Sequence, residues 1–354
     1  MITGSGYSLD DILLVPQHST VPSRLMTDVS TPLTRDFYSG TPVFSTNMST
    51  ITEEEMVATL HREGGNGFVH RFLSVDRGVD IIEFLQQRTS IGNIIMSVGV
   101  GDAELDRAKA YVDAGASTLL LDVAHGDSQV AHSQLLNLRT QLPDTNVIFG
   151  NIATTGAAKK LLYVNGEPRR ERWIPHALRV GIGGGSRCTT RTVTGHGVPN
   201  LTALVDVADV RNSYMGVTGI YVPIIMDGGI KNSGDIVKAL YAGADSVSIG
   251  GLFAGTKETP GKPIETERGF FKEYYGMSSA QAQRNGLKRF RDGIAPEGFS
   301  ERVPLRGTVL DIYKPLIGGI RSGLTYSNAR NIKELRENAH AILITNAARA
   351  ESKL

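Results

Sequence analysis

The sequence predicts a single (β/α)8 TIM barrel of the α/β class, and three observations lead to that prediction. Eight short apolar runs recur between residues 42 and 250 without the alternation of half-exposed strands, as expected for strands buried on both faces of a parallel sheet. Amphipathic segments that indicate helices lie between them. Glycine pairs end the last two runs, where barrels commonly build phosphate sites. An open doubly wound sheet is the alternative, and the glycine pairs favour the closed barrel.

Strands and helices are expected to alternate along the chain. The strands are predicted at Pro42–Ser45, Gly67–His70, Ile94–Val98, Thr118–Asp122, Val147–Gly150, Ala177–Gly181, Pro223–Asp227 and Ser246–Gly250. The first helix is expected to begin at Thr52, a good N-cap residue that precedes three glutamates. The next helices are predicted at Val75–Gln87, Asp102–Ala114, Ser128–Leu142, Thr155–Tyr163, Leu201–Asn212 and Ser233–Ala242.

The residues after the eighth run are expected to cover and close the barrel. Thr256–Glu267 indicates a surface loop or hairpin because it is rich in Thr, Pro, Lys and Glu. Gln281–Gly307 is strongly charged with few apolar residues, which predicts a mobile flap over approximately 276–307. Thr308–Leu316 and Asn331–His340 are predicted to be helices that complete the barrel.

One loop between the fifth helix and the sixth strand is unusual in composition. Pro168–Pro175 holds the only tryptophan and a basic run, and the topology places it at the amino-end face of the barrel. We expect an exposed loop anchored by its tryptophan, and an interface or effector contact is the alternative.

Composition and charge narrow the classes of function. The chain has 354 residues and a formal net charge of +1, which argues against general binding to nucleic acids or membranes. A single cysteine gives no sign of an oxidising compartment, and the first residues do not resemble a signal peptide. We therefore expect a cytoplasmic protein. Ser352-Lys353-Leu354 spells a peroxisomal address, so a peroxisome or glycosome is the alternative in a eukaryote.

The only cysteine, Cys188, follows a glycine-rich loop at the end of the sixth apolar run. Gly183, Gly184 and Gly185 allow the backbone to approach a ligand closely. Most free cysteines are small buried hydrophobic residues. The loop position beside Ser186 and two threonines favours a nucleophile instead.

Polar residues and glycines at other strand ends are expected to surround Cys188, because all carboxyl ends of barrel strands face the active site. The glycine pairs after runs seven and eight offer bare backbone N–H groups to an anion. The residues concerned are His70, Arg71, Asp122, Asn151, Asp227, Gly228, Gly229, Gly250 and Gly251.

Six motifs in order along the chain resemble the IMP dehydrogenase/GMP reductase family. They are Tyr7–Gln17, Gly181–Arg191, Asp227–Ile230, Gly251–Gly255, Tyr275–Ser278 and Gly318–Ser322. The resemblance covers nearly the whole chain and implies a TIM barrel. The family's paired regulatory CBS module usually lies between the second helix and the third strand. Only about twenty residues separate Phe72 from Asn93, so we expect one catalytic domain over 1–354 without that module.

The resemblance implies the chemistry and the site. Cys188 would attack C2 of a purine nucleoside monophosphate (GMP or IMP) to form a thioimidate adduct, and hydride would pass between C2 and a nicotinamide cofactor. Asp227 would hold the ribose. The phosphate would be held by Ser186, Gly229, Gly250 and Gly251, the base by Met277 and Ser278, and the cofactor by Arg71, Asp122, Ala124 and Asn151. Carbonyls of Gly183, Gly185 and Cys188 match a potassium site. A homotetramer or octamer is implied.

The resemblance leaves two reactions open. A reductase takes hydride from NADPH and uses a Thr-Glu pair, which matches Thr190 and Glu297. A dehydrogenase passes hydride to NAD⁺ and uses an Arg-Tyr pair, faintly echoed by Arg289-Phe290. The short Gly276–Gly298 segment favours GMP reductase, whereas Phe253–Gly261 resembles dehydrogenases. We favour the reductase, with IMP dehydrogenase or a divergent nucleotide-binding member as alternatives.

Overall fold

Eight parallel strands close into a barrel in the computed structural model, which describes residues 4–286 and 295–351. Each strand pairs with its neighbours in chain order, and the eighth pairs with the first. The strands are β1 Val43–Ser45, β2 Asn66–Val69, β3 Ile95–Val98, β4 Thr118–Asp122, β5 Asn146–Ile152, β6 Ala177–Val180, β7 Ile224–Asp227 and β8 Ser246–Ile249. The predicted TIM barrel is confirmed, and every predicted strand takes part in it.

A helix follows each barrel strand and packs its apolar face on the sheet. These helices are α1 Glu54–His61, α2 Val75–Arg88, α3 Asp102–Asp113, α4 Gln129–Gln141, α5 Thr155–Leu162, α6 Asn200–Thr218, α7 Ser233–Tyr241 and α8 Leu310–Tyr326. Short helices outside this ring span Thr190–Thr194, Ala280–Gly286, Ile332–Asn338 and Asn346–Glu351. In the part of the chain that the structure describes, no helix has both the length and the apolarity to cross a membrane.

Four helix boundaries differ from the prediction. The helix expected over Asn331–His340 ends at Asn338, because His340 begins a strand, His340–Leu343, that pairs with Ile12–Val15. Thr52 does not cap α1, because its buried hydroxyl donates to the Thr46 carbonyl at 2.6 Å and fixes the loop after β1. Helix α6 continues to Thr218, since its last turns expose apolar side chains and so lack an amphipathic signal. Helix α8 runs well beyond Leu316. Gly319 lies in its middle because a Cβ there would come within 2.1 Å of the Ser233 hydroxyl, so the glycine allows close packing on α7.

The amino end of the barrel is closed by a hairpin. Its two short strands, Thr31–Pro32 and Tyr38–Ser39, pair antiparallel just before β1. Leu33 at the turn is only 1% exposed. It enters an inner apolar cluster with one side chain from seven of the eight strands, namely Phe44, Phe68, Ile95, Leu120, Ile148, Ala177 and Ile225.

Buried cationic side chains surround His176 at the same end of the barrel. The Val147 N–H donates to Nδ1 of His176 at 2.9 Å, and Arg139 Nη1 lies 3.1 Å from Nε2. Burial, and then the nearby Arg35 and Arg139 guanidinium groups, lower the pKa of His176 to about 2. The carboxylate of Asp36, which is mostly exposed, lies 3.9 Å from Nε2. His176 is therefore neutral across the physiological pH range.

The loop over 168–175 lies beside this cluster, at the amino-end face as predicted. Its strand Glu167–Pro168 pairs with Tyr163–Val164, and a 3₁₀ turn spans Glu171–Trp173. Residues 170–172 are exposed and Trp173 is half-buried beneath the Arg172 guanidinium, 4.6 Å from the ring centroid. The expectation of an exposed loop anchored by its tryptophan is confirmed, and an interface role stays a prediction.

The predicted flap is partly built into a sheet. Ser300–Pro304 pairs antiparallel with Gly269–Tyr275, which also pairs with Ile264–Thr266. Residues 300–304 lack the apolar pattern of a strand, because four of the five are exposed and only Val303 is buried. Their charged composition therefore indicated a flap. Arg289-Phe290 and the possible targeting tripeptide Ser352–Leu354 lie outside the described residues. Flap mobility stays a prediction.

Candidate active site

A cleft of about 700 Å³ opens at the carboxyl ends of the strands. It is bordered by the loops after all but β3 and by the segment that follows Gly269–Tyr275. His70, which was expected beside Cys188, is buried and lies 3.3 Å from Glu53 instead of lining the cleft. The other described residues predicted for the site line this one cleft: Arg71, Asp122, Ala124, Asn151, Gly183, Gly185, Ser186, Cys188, Thr190, Asp227, Gly228, Gly229, Gly250, Gly251, Met277, Ser278 and Glu297.

The predicted nucleophile stands at one end of a hydrogen-bonded chain. The Cys188 thiol donates to Oγ1 of Thr190 over 3.0 Å. The Thr190 hydroxyl in turn donates to Oε2 of Glu297 over 2.7 Å. A carboxylate 107 positions away from the hydroxyl along the chain is thereby connected to the thiol. Such a chain can carry a proton to or from a group bound beside Cys188.

Backbone hydrogen bonds hold Glu297 beside the loop that carries Cys188 and Thr190. The Thr189 N–H donates to the Glu297 carbonyl at 2.9 Å, and the Glu297 N–H donates to the Ser278 carbonyl at 3.0 Å. Cys188 and Gly298 form an antiparallel bridge. A Cβ on Gly298 would lie 3.0 Å from the Arg187 carbonyl, so glycine is what permits this close approach.

Hydroxyl groups and bare backbone converge beside the nucleophile loop. Ser186 Oγ and the Tyr274 hydroxyl are 3.1 Å apart. A Cβ on Gly251 would lie 3.0 Å from Ser186 Oγ and 3.5 Å from the Tyr274 oxygen, so this glycine leaves a small polar cradle open. Gly229 on the opposite side has φ of +79°, which glycine adopts at no steric cost. Hydroxyl groups beside bare backbone N–H groups can together bind an anion.

Tyr274 was missed from the sequence. Its hydroxyl reaches the cradle from the strand Gly269–Tyr275, and its side chain is 3% exposed. Burial raises the pKa of this phenol, which stays a neutral hydrogen-bond donor. The one available signal is its place directly before the Tyr275–Ser278 motif.

The predicted base-binding residues lie near the loop after β1. The Ser49 N–H points to Sδ of Met277 at 3.3 Å, and Ser49 Oγ lies 3.2 Å from the Tyr275 hydroxyl. Ser278 supplies the carbonyl that fixes the Glu297 backbone. Met277 and Ser278 therefore lie between the nucleophile loop and β1.

A buried arginine organises the floor of the cleft. Arg179 on β6 has a side chain only 3% exposed, and it pairs with Asp227 at 2.8 Å and with Asp122 at 3.2 Å. It also donates to Asn47 Oδ1 at 2.7 Å and to Asn151 Oδ1 at 3.1 Å. Arg71 also pairs with Asp122, so two guanidinium groups accompany the two carboxylates. The sequence reading missed Arg179 because it lies inside an apolar run.

This network orients Asp227 for a ligand. Its Oδ1 pairs with Arg179 and lies 3.3 Å from the Thr46 hydroxyl, whereas Oδ2 accepts from Asn151 Nδ2 at 2.8 Å. Asn151 Nδ2 also donates to the Gly181 carbonyl at 2.7 Å. A carboxylate oxygen accepts more than one hydrogen bond, so lone pairs remain for hydroxyl groups in the cleft.

The opposite wall of the cleft carries Arg71 and Asp122. Arg71 Nε lies 3.5 Å from Asp122 Oδ2, and the guanidinium lies over the Phe72 ring at 4.8 Å. Nε is buried and has no hydrogen-bond partner among the described residues. Ala124 is exposed beside them. The ion pair of Arg71 and Asp122 therefore offers donors and acceptors to a polar ligand in the cleft.

The expected potassium carbonyls lie in the nucleophile loop. The Gly185 carbonyl accepts the Cys188 N–H at 3.1 Å, so one of its lone pairs is already engaged. The aliphatic part of Arg191 packs against Gly183, and its guanidinium donates to the Val198 carbonyl at 3.1 Å. Within the described ranges, no group of three or more His, Cys, Asp and Glu side chains could hold a metal.

The closed barrel brings a thiol, a hydroxyl and a carboxylate together in sequence at its carboxyl-end cleft, which is an arrangement typical of a barrel enzyme. The sequence profile of the IMP dehydrogenase / GMP reductase domain matches residues 6–354. The chain therefore belongs to this family, whose members are oxidoreductases that act on IMP or GMP.

Curated relatives and a solved structure agree on the family. The chain is 30% identical to inosine-5′-monophosphate dehydrogenase of Nitrosopumilus maritimus, over 98% of each protein. It is 33% identical to the enzyme of that name from Borreliella burgdorferi, over 99% of this chain and 97% of the relative. The crystal structure of a GMP reductase variant from Trypanosoma brucei with guanosine 5′-monophosphate superposes with a TM-score of 0.90. That pair is 25% identical over 99% of this chain and 98% of the other.

Proposed function

We propose that this protein is a GMP reductase, which converts GMP to IMP and ammonia. The Cys188 thiol would lose its proton through Thr190 to Glu297, and the thiolate would form a C–S bond to C2. Glu297 would pass the proton to the exocyclic amine, and ammonia would leave with the C2–N electron pair. NADPH supplies a hydride to C2 when bound. The C–S electron pair then returns to Cys188 and releases IMP. Carbon 2 is reduced by two electrons, and NADPH is oxidised by two.

The observation that supports the reductase is the chain from Glu297 through Thr190 to Cys188, with distances of 2.7 and 3.0 Å. Cleavage of the C2–N bond needs a proton, because an amide anion is a very poor leaving group. A positioned carboxylic acid supplies that proton and accelerates such a step about 10²–10⁴-fold. The hydroxyl of Thr190 links the acid to the reacting carbon beside the thiol.

The other residues of the cleft support the proposal, because they offer suitable groups to each part of the substrate. Ser186, Tyr274 and the backbone of Gly229, Gly250 and Gly251 would hold the phosphate. Asp227, fixed by Arg179 and Asn151, would accept hydrogen bonds from the ribose. Met277 and Ser278 would contact the base. The nicotinamide would lie against Arg71, Asp122, Ala124 and Asn151, where the ion pair of Arg71 with Asp122 borders the cleft. A homotetramer and a potassium ion at the loop carbonyls belong to the same proposal.

IMP dehydrogenase is the second candidate, because the curated relatives compared above carry that name. This reaction would use the same Cys188 adduct, pass hydride to NAD⁺, and need a base that activates water. The arginine suggested by the sequence, Arg289, lies outside the described residues.

Absorbance of the reduced nicotinamide distinguishes the two reactions. We expect NADPH to be consumed with GMP, with ammonia released in equal amount, and no burst of NADH from IMP and NAD⁺. Glu297→Gln should slow ammonia release about 10²–10⁴-fold. The matched control is Glu273→Gln, an exposed glutamate on the same sheet, which should retain full activity. Steady NADH production from IMP by the unmutated protein would show a dehydrogenase instead.

A further inference from the structure

Arg187 lies between Ser186 and Cys188, and the contacts of its side chain are unusual for a loop residue. The guanidinium is stacked between two aromatic rings, 4.9 Å from the centroid of Tyr274 and 4.9 Å from that of Phe299. It forms an ion pair with Glu301 and donates to the Ser186 carbonyl at 3.2 Å. Its Nε is buried and has no hydrogen-bond partner among the described residues. The side chain is therefore held mainly by ring faces and one carboxylate.

These contacts join two chain segments that the active site needs together. Phe299 and Glu301 belong to the returning segment, residues 297–301, which begins with Glu297. The Arg187 carbonyl also accepts the Phe299 N–H at 3.3 Å. Both the main chain and the side chain of Arg187 therefore contact Phe299. The loop around Cys188 is rich in glycine and has few side chains of its own with which to pack.

We infer that Arg187 is a positioning residue, which holds the returning segment against the nucleophile loop and so keeps Glu297 on Thr190. A guanidinium over an aromatic face contributes attraction that a neutral side chain lacks, and here two faces share one cation. Displacement of a catalytic group by about 1 Å can cost about 10²-fold in rate. This inference deepens the proposed function, on which it rests through the role given to Glu297.

Direct binding of the nucleotide phosphate by Arg187 is the competing explanation, since Ser186 is adjacent. The geometry favours positioning, because the guanidinium is already enclosed by Tyr274, Phe299 and the Glu301 carboxylate. The two explanations differ in kinetics. Loss of a phosphate contact raises KM for the nucleotide, whereas loss of positioning lowers kcat.

Steady-state kinetics of Arg187→Leu test the inference, with Arg302→Leu as the matched control. Arg302 is exposed on the strand Ser300–Pro304 and should tolerate the change. We expect kcat to fall about 10–100-fold in Arg187→Leu while KM for GMP changes less than about threefold. Arg187→Lys should retain part of kcat. Phe299→Leu, which removes one ring, should show a smaller loss of the same kind. A rise in KM with unchanged kcat would overturn the inference.

A double-mutant cycle tests whether Arg187 acts through Glu297. In a Glu297→Gln background, Arg187→Leu should cost less than about threefold, because the group that it positions is already disabled. Full multiplication of the two losses would show that Arg187 acts independently of Glu297 and would contradict the inference.

Hydrogen exchange provides a test that does not depend on which reaction the enzyme runs. The amides of Thr189 and Phe299 bond across the junction, to the carbonyls of Glu297 and Arg187, and they should exchange at least about tenfold faster in Arg187→Leu than in Arg302→Leu. Unchanged exchange would refute the positioning role of Arg187 even if GMP reduction is confirmed. Faster exchange in a protein that oxidises IMP would support that role while refuting the proposed function.

Discussion

The two ends of the barrel use polar residues in opposite ways. At the carboxyl end, Arg179 lies between two carboxylates that face an open cleft, and Arg71 pairs with one of them, Asp122, at the wall of the cleft. At the amino end, Leu33 closes the barrel and His176 is buried as a neutral ring. The comparison teaches that polar groups at the carboxyl end can still form hydrogen bonds with a ligand. The side chains at the amino end are instead engaged in packing. Substitutions at the two ends should therefore change different measurements.

The largest effect is expected for Cys188→Ser at the carboxyl end. Loss of a covalent nucleophile should reduce turnover by several orders of magnitude. Nucleotide affinity should stay within about threefold by calorimetry, because the phosphate and ribose contacts lie elsewhere in the cleft. The thermal midpoint should be unchanged, since Cys188 is only half-buried. More than about a tenth of the original rate would rule out Cys188 as the nucleophile.

Leu33→Ala should produce the largest effect at the amino end. Truncation of a fully buried leucine costs about 2–5 kcal/mol of unfolding free energy, because it loses transfer energy and leaves a cavity. Denaturant unfolding measures the loss, and the matched control is the exposed Leu25→Ala, which should cost little. The folded variant should keep its kcat, as the cleft lies at the other end. A large loss of kcat with normal stability would break the division between the two ends.

Asp227→Asn should weaken GMP binding about 10–100-fold at the carboxyl end, because a charged acceptor is replaced by a neutral one. Arg179 keeps Asp122 as a partner, so the fold should survive. Isothermal calorimetry measures the affinity, with the exposed Asp209→Asn as control. Equal affinity for GMP in both variants would show that the ribose is held elsewhere.

The smallest effect is a pH dependence at the amino end. His176 has a pKa lowered to about 2 in the folded protein, against about 6.5 when unfolded. The stability that it contributes is present above pH 6.5 and falls as pH decreases, because only the unfolded state binds the proton. The loss should be about 1.4 kcal/mol at pH 5.5 relative to pH 7.5.

His176→Asn checks this prediction, because an amide oxygen can accept the Val147 N–H in place of Nδ1. The variant should lose less unfolding free energy than the unmutated protein between pH 7.5 and 5.5. Parallel pH curves for the two proteins would mean that His176 is already protonated in the fold.

The barrel was predictable because its signals are local and repeated. Runs such as Thr118–Asp122 are apolar throughout and too short for helices, and each is followed by a helical pattern. The strand ends then place Asp122, Asn151 and Asp227 in one cleft by topology alone. The position of Cys188 in the cleft was predictable from its glycine-rich loop. The pairing of Thr190 with Glu297 was predicted from the family resemblance.

The parts that were missed depend on long-range contacts. Arg179 reads as one polar residue in an apolar strand, and only the closed barrel brings two carboxylates to it. Tyr274 reaches Ser186 from 88 positions away. The Thr52 hydroxyl found a carbonyl in the preceding loop rather than a helix N-terminus. No local sequence pattern predicts the partners of these three side chains, because each partner is brought into contact only by the folded barrel.

The pairing of Tyr275 with Ser300 holds both ends of the intervening segment at one point of the molecule. Once a ladder has closed such a loop, a doubling of its length changes the closure free energy by only about 0.6 kcal/mol. Residues can therefore be gained or lost inside the segment with little effect on the barrel or on Cys188. Glu297, three positions before the ladder, keeps its place as well. The length and sequence of this segment can thus change in evolution while the barrel and the loop that holds Cys188 stay constant.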